Sequence, residues 1–576
     1  MSLVLQGSAI GGGIAIGRAH LVQRSMDDVP HYQIEAEQVG QEIERFEAAI
    51  KQTRRQLEQL RMSIPENAPT ELGAFISLHL MLLTDVTISR EPIDLIEEES
   101  CNAEWALKLQ VDYLSRQFDE IADEYLRERK NDMLQVVERV FKNLAGKTTE
   151  VGLTSDLFDD TILIAHDLSP ADMVYFKDNR VAAFVTDVGG LTSHTAILGK
   201  SLDLPSVIAL GQGQQLIRED EWVIVDGVDG VVIVQPDDVV LSEYRQRIRS
   251  YKAGRRKLEK IKKVAAQTQD GVSVRLFANI ESAVDIDDAL KAGADGVGLF
   301  RSEFLFLNRD DLPSEDEQYE IYKKFVLSLK DKPLIIRTMD LGVDKNPRWF
   351  HHEHGLNPAL GLTGIRLCLA EPAMFRTQLR ALARAAVHGD IRIMFPMVSS
   401  VSELNQVLTH LEIIKDQLRE DRISFKEKMP IGAMIEIPSA ALTVGSFLKK
   451  LDFISIGTND LIQYTLAVDR GDSSVSYLYS STHPAVLKLI YHVIKTANKM
   501  DKPVSICGEM AGDSRLTRLL LLMGLRQFSM HPASLLTIKQ LVCNTDLRSI
   551  ESFAPKIHRA EEADKIDDLL GRLNTI

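Results

Sequence analysis

Cysteine is scarce in this chain of 576 residues: there are four, Cys101, Cys368, Cys507 and Cys543, with no Cys-x-x-Cys pair among them. That excludes a disulfide framework and a thiolate zinc cage, and points to a reducing compartment, the cytoplasm. Long apolar runs are missing too. Nothing approaches the ~18 uninterrupted apolar residues of a membrane span, and the opening Met1-Ser-Leu-Val-Leu-Gln-Gly-Ser has neither the basic region nor the apolar core of a secretory leader. A protein neither secreted nor inserted in a membrane is expected. Positive charge is in deficit: 67 Lys and Arg against 83 Asp and Glu give −16, which disfavours a chain that coats nucleic acid or an anionic membrane. What is present, 45% hydrophobic and 26% charged residues, is the composition of a globular protein. At roughly 100 to 200 residues per domain, the length predicts three or four domains.

The text changes character along the chain. Segments such as Ala36 to Met62 and Trp105 to Leu144 carry apolar residues at three- and four-residue spacing among many charges, which reads as helix. Pro65 and Pro69 break this helical region into hairpins, because proline lacks the amide donor that a helix interior needs. Before it stands the glycine-punctuated, strand-like stretch Gly7 to Gly17; after it come β-rich runs at Thr161 to Ala165, Val181 to Thr186 and Glu221 to Val234. The economical organisation is a small α/β domain, residues 1–26 and 148–240, interrupted by an all-helical insertion, 27–147. Ten Lys and Arg residues crowd the stretch between Arg245 and Lys263, which reads as a solvated linker helix, 241–265. Residues 266–576 hold eight short apolar segments alternating with helical ones: Val274 to Ile280, Gly296 to Phe300, Leu334 to Met339, Ile391 to Phe395, Ile431 to Ile437, Phe453 to Gly457, Val504 to Cys507 and Gln527 to Met530. Near-continuous apolar strands alternating with amphipathic helices are what a closed parallel (β/α)₈ barrel requires, since its strands are buried on both faces.

A barrel gathers chemistry at the C-terminal ends of its strands. Just past successive strands stand Arg301 and Glu303, Arg337 and Asp340, Glu436, Asn459 and Asp460, and Cys507 with Glu509. Arginines suit an anionic substrate, and carboxylates suit a hard divalent cation such as Mg²⁺, which shares its oxygen ligands with substrate phosphate. In the first domain, Asp187-Val-Gly-Gly-Leu-Thr-Ser-His194-Thr places a histidine after a Gly-Gly turn at the start of an amphipathic helix. Free amides and the positive dipole end there suit a phosphorylated imidazole, with Thr192, Ser193 and Thr195 as hydroxyl donors.

The histidine segment resembles the phosphohistidine loop of the family of phosphoenolpyruvate-utilising enzymes, which contains Enzyme I of the phosphotransferase system, pyruvate phosphate dikinase and phosphoenolpyruvate synthase. Gly296-Val-Gly-Leu-Phe-Arg-Ser-Glu-Phe-Leu-Phe306, Arg337-Thr-Met-Asp-Leu-Gly342, Met434-Ile-Glu-Ile-Pro438, the run from Ser455 to Gly471 and Ser505-Ile-Cys-Gly-Glu-Met-Ala-Gly512 resemble the family in order and wording. The helical insertion, with Asp123-Glu-Tyr-Leu-Arg-Glu-Arg129, and the lack of an ATP-grasp region are similar to the Enzyme I branch. The resemblance implies that Glu436 and Asp460 hold Mg²⁺, that Arg301, Arg337 and Arg470 grip phosphoenolpyruvate with Asn459 and Lys345 beside them, and that His194 attacks phosphorus. It further implies that Ser169 orients the imidazole and that Cys507 protonates the leaving enolate of pyruvate. The phosphohistidine domain would then shuttle phosphoryl to the small histidine phosphocarrier protein HPr, docked on the helical insertion, and the barrel would make a homodimer. A helix face around Leu78, Leu80, Met81 and Leu82 reads either as that dock or as intrahelical packing.

The chain departs from the family pattern in three places. Leu191 stands for arginine before Thr-Ser-His, Val343 for a small residue, and Leu362 with Thr363 for an aromatic residue and an arginine, which leaves Arg366 alone of the usual pair. An arginine that stabilises a phosphoryl transition state can be worth on the order of 10³-fold. A catalytically weakened regulatory paralogue, acting through carrier binding or phosphorylation state, is therefore the second reading. His351-His-Glu-His354 lacks helical i, i+4 spacing and reads as an exposed loop rather than a metal site.

Overall fold

A computed structural model describes residues 2–22, 29–63, 70–120, 124–146, 160–168, 181–189, 204–307, 309, 311–341, 357–470 and 475–576. The chain divides into two compact units, Met1–Arg255 and Arg256–Ile576.

The first unit is built on a sheet whose strands are β1 (Leu3–Gln6), β2 (Ser8–Gly11), β3 (Ile14–Val22), β4 (Thr161–Ala165), β5 (Ala183–Thr186), β6 (Ser206–Ile208), β7 (Trp222–Asp226) and β8 (Val231–Val234), in the order β1-β8-β7-β3-β4-β5-β6-β2. Strands β3 to β6 run parallel, and β7 and β8 form an antiparallel hairpin. The glycine-rich opening, which reads as one strand-like piece, is three. Four-residue β1 pairs with β8 while β2 pairs with β6, at opposite ends of the strand order. Gly7 stands at the crossing, where a Cβ would lie 2.5 Å from the Ile208 carbonyl oxygen. All five residues of β4 and all four of β5 are buried. One set of side chains (Ile162, Ile164, Val185, Val223, Val225) packs with Ala15 and Ala19, and the alternate set (Leu163, Ala165, Phe184) joins the core of the helical insertion.

That insertion lies between β3 and β4. Its long helices, Val39–Ser63, Thr70–Leu82, Ala103–Glu120 and Glu124–Leu144, close on Phe46, Leu57, Ile76, Leu107, Val136 and Phe141. The first ends at Ser63 and the second begins at Thr70, on either side of the two prolines. The face around Leu78 is largely inward: Leu80 and Leu82 pack on the helical core, whereas Met81 is 55% exposed. The basic stretch forms helix Asp238–Ile261, in which Arg247 reaches Asp226 at 3.0 Å and Asp229 at 2.6 Å.

The second unit is a closed barrel of eight parallel strands: β9 (Arg275–Ile280), β10 (Val297–Arg301), β11 (Leu334–Arg337), β12 (Ile391–Phe395), β13 (Ile431–Ile435), β14 (Phe453–Ile456), β15 (Val504–Ile506) and β16 (Gln527–Met530). Each strand pairs with the next, and β16 returns to β9. These are the eight apolar segments expected. The barrel interior is filled by Leu299, Ile335, Met394, Met434, Phe453 and Cys507. Between strands and helices lies a larger continuous core.

Candidate active site

Strand ends place the candidate side chains. Arg301 and Arg337 are the last residues of β10 and β11 and partner each other in register. Glu436 follows β13 by one residue, Asn459 and Asp460 lie in the first turn of helix Thr458–Leu466 just beyond β14, and Cys507 directly follows β15. Because all eight strands are parallel, these residues share the C-terminal mouth.

Two groups of side chains form there. Arg301, Asn459, Cys507 and Glu509 line a cavity of about 570 Å³, together with Asn279, Glu281 and Tyr479. Arg301 pairs with Glu281. Asn459 accepts the Glu509 amide at 2.9 Å and donates to the Glu509 carboxylate at 3.3 Å. The Tyr479 hydroxyl donates to the Asn459 carbonyl at 3.3 Å, and burial, with Glu509 next, pushes this phenol up to about 12. Arg470 stands beside the same phenol.

The second group is Arg337, Glu303, Asp340, Glu436 and Asp460, none of which lines that cavity. Arg337 is ion-paired with Glu303 and lies 2.8 Å from Asp340. Burial opposes its charge, but Glu303 first, then Asp340, Glu436 and Asp460, more than restore it. Glu436 is fully buried; one oxygen accepts the Met397 amide at 2.5 Å, and Oε2 has no partner among the described residues. Burial, then Asp460 and Asp340, push its carboxyl well above the ordinary range. Cys507 connects the groups: burial raises its thiol to about 11, and Glu436, Arg337 and Arg301 are all close enough to act on it.

Unsatisfied polar atoms gather at this end of the barrel. Glu303 Oε2, Arg337 Nε, Thr338 Oγ1, Thr363 Oγ1, Glu436 Oε2 and Thr458 Oγ1 are buried without a hydrogen-bond partner among the described residues. Buried polar groups are normally paired, so orphans on several strand ends mark a place prepared for a polar ligand. Among the described residues no three His, Cys, Asp or Glu side chains form a ready-made metal cage. Two carboxylates with an orphaned oxygen still fit a hard divalent cation, which completes its shell with water and substrate oxygens.

Thr363, 6% exposed, precedes helix Gly364–Ala370, and neighbouring Leu362 is 39% exposed. Arg366 lies 3.5 Å from Glu403 and donates to the Leu360 carbonyl at 3.2 Å. His194, Ser169, Lys345, Leu191, Val343 and His351 to His354 lie outside the described residues. Sequence reasoning missed Asn279 and Glu281, although the strand-end rule applied to β9 would have found both.

The chain matches the family described as PEP-utilising enzyme in three parts: the N-terminal domain over residues 6–129, the mobile domain over 157–230 and the PEP-binding domain over 255–547. It is 48% identical over 570 residues to a phosphoenolpyruvate-protein phosphotransferase of Cupriavidus necator, covering 97% of each chain. It is 38% identical over 560 residues to the protein of that name in Bacillus subtilis, covering 96% of each, and 36% identical over 570 residues to that in Listeria monocytogenes, covering 99% of each.

Proposed function

The chain belongs to the family of PEP-utilising enzymes, and from that premise we propose that it transfers phosphoryl from phosphoenolpyruvate to its own His194 and then to the phosphocarrier protein HPr, releasing pyruvate. The observation that carries this reading is the convergence of Arg301, Arg337, Asn459, Glu436, Asp460 and Cys507 on the C-terminal ends of one barrel. The full-length relatives named for this activity favour it over the regulatory alternative.

Arg301 and Arg337 grip the phosphate and carboxylate of the substrate, with Arg470, Lys345 and Asn459 beside them. Guanidinium forks match these planar and tetrahedral anions better than ammonium does. Glu436 and Asp460 would hold Mg²⁺, and the bound cation would supply charge neutralisation for the anionic substrate. His194, oriented by Ser169, attacks phosphorus in line; an N–P bond forms, the P–O bond to the enol breaks, and pyruvate enolate leaves. Cys507 then gives its thiol proton to the enolate methylene, which yields pyruvate. A thiol that burial holds protonated suits that donor role. The phosphohistidine passes its phosphoryl to the carrier, docked on the helical insertion. We further propose the cytoplasm as its location and a homodimer formed through the barrel.

Incubation with labelled phosphoenolpyruvate and Mg²⁺ should leave acid-labile label on the chain and pass it to added carrier protein. Unchanged labelling in His194→Ala would sink the assignment.

A further inference from the structure

Gln378 is 1% exposed on helix Pro372–Ala385, among the buried apolar residues Phe375, Leu379 and Leu382. An amide is kept in such a place only where its donors and acceptor are matched. Here they are. Nε2 donates to Ser302 Oγ at 2.9 Å and to the Tyr322 hydroxyl at 3.2 Å, and Oε1 accepts the Met339 backbone amide at 3.0 Å. Ser302 Oγ in turn donates to the Arg337 carbonyl at 2.6 Å, and Tyr322 donates to Gln318 Oε1 at 3.2 Å. Every hydrogen in this chain has one consistent direction, and Ser302, Tyr322, Gln318 and Gln378 are all buried.

The atoms that Gln378 holds are not arbitrary. Ser302 sits between Arg301 and Glu303, and Met339 precedes Asp340. Glu303 and Asp340 are the two carboxylates that clamp the Arg337 guanidinium. One amide on an outer helix thus fixes the backbone beside both counter-ions of Arg337, and through Ser302 it ties the end of β10 to the Arg337 carbonyl. Arg301 and Arg337 are also register partners. We propose that Gln378, acting through Ser302 and Met339, is a positioning residue that sets the separation and aim of the Arg301 and Arg337 side chains, and hence the affinity for a small phosphorylated carboxylate. This rests on the substrate role given to those two arginines.

The test uses the full-length chain and two probes, phosphoenolpyruvate and inorganic phosphate. Gln378→Met keeps length and volume but removes every hydrogen bond; Ser302→Ala removes the tie to the Arg337 carbonyl; Thr377→Ala, on the same helix, removes a hydroxyl that donates to Ala373 O at 3.0 Å and serves as control. Weakening one charge-assisted hydrogen bond to the anion lowers affinity roughly ten- to hundredfold. The phosphate Kd and the phosphoenolpyruvate KM should therefore rise by about that factor in Gln378→Met and Ser302→Ala, with kcat changed less, and stay at wild-type values in Thr377→Ala. Phosphate Kd within about twofold of wild type in either folded variant overturns the proposal, including the case where only Tm falls, which would make Gln378 a packing residue. If Gln378→Met does not fold, Ser302→Ala decides. Wild-type chain that binds phosphate but releases no pyruvate refutes the proposed activity, while the phosphate arm still judges Gln378.

Discussion

Cys507 is the residue whose environment bears most on the proton-donor role proposed for it. It is 4% exposed, it faces the cavity at the barrel mouth, and burial lifts its thiol to about 11. An ordinary thiol loses its proton at about 8.5. The sign follows directly: the proton-donating form is fully populated below the ordinary value and is lost only as pH rises through the raised one. Pyruvate formation at saturating phosphoenolpyruvate should thus show no thiol-like fall between about pH 8 and 9, and an inflection there in a pH–rate profile would contradict the assignment. Cys507→Ser should lower pyruvate formation by about 10²- to 10⁴-fold, the usual worth of a placed acid, while phosphate affinity is kept. Much of the candidate site's placement was legible because strand ends are legible. Arg301, Arg337, Glu436 and Cys507 each follow an apolar run that ends abruptly in a charge or a thiol, and Asp460 stands just beyond β14 in the first turn of the next helix. Gln378 gave no such signal, since an amide among Phe375, Leu379 and Leu382 on an amphipathic helix shows its use only when its partners on other elements are known.

At the scale of elements, the barrel strands were readable because burial on both faces demands unbroken apolar residues, and helices separate them. Differences are confined to ends. Leu334 to Met339 reads as one apolar strand, but the ladder stops at Arg337 because the Met339 amide turns to Gln378 instead of a neighbouring strand. In the first unit, three-residue β6 was too short to carry a periodic signal, and the split of the opening stretch at Gly7 depends on partners far along the chain, Val231–Val234 for β1 and Ser206–Ile208 for β2. Packing inside the barrel is tight enough to be tested at one atom. A Cβ on Gly432, in β13, would lie 2.5 Å from the Phe453 ring, whose position is fixed on neighbouring β14. Gly432→Ala should therefore cost about 1–3 kcal/mol by overpacking, measured by denaturant unfolding followed by circular dichroism.

On the scale of the whole molecule, each of the two units has its own apolar core, so calorimetry should show two unfolding transitions. Phosphoenolpyruvate with Mg²⁺ should raise only the barrel's transition, by about 2.7 kcal/mol at a hundredfold excess over Kd, and chelation should remove the part owed to the cation. A single transition that moves as one would contradict this independence. The charge of −16 makes the local arrangement at the mouth decisive for the proposed function, because attraction for a substrate that carries both a phosphate and a carboxylate would have to come from Arg301, Arg337 and a bound cation against the mean field. The two sheets also differ in a way that bears on solubility. A closed barrel exposes no strand edge, whereas β1 ends its strand order with Leu3 40% and Val4 60% exposed. An edge strand that is unpaired on one side among the described residues and exposes apolar side chains invites another chain to add as a further strand. On concentration or ageing, aggregation would start at this N-terminal edge, and Val4→Lys should suppress light scattering without touching turnover.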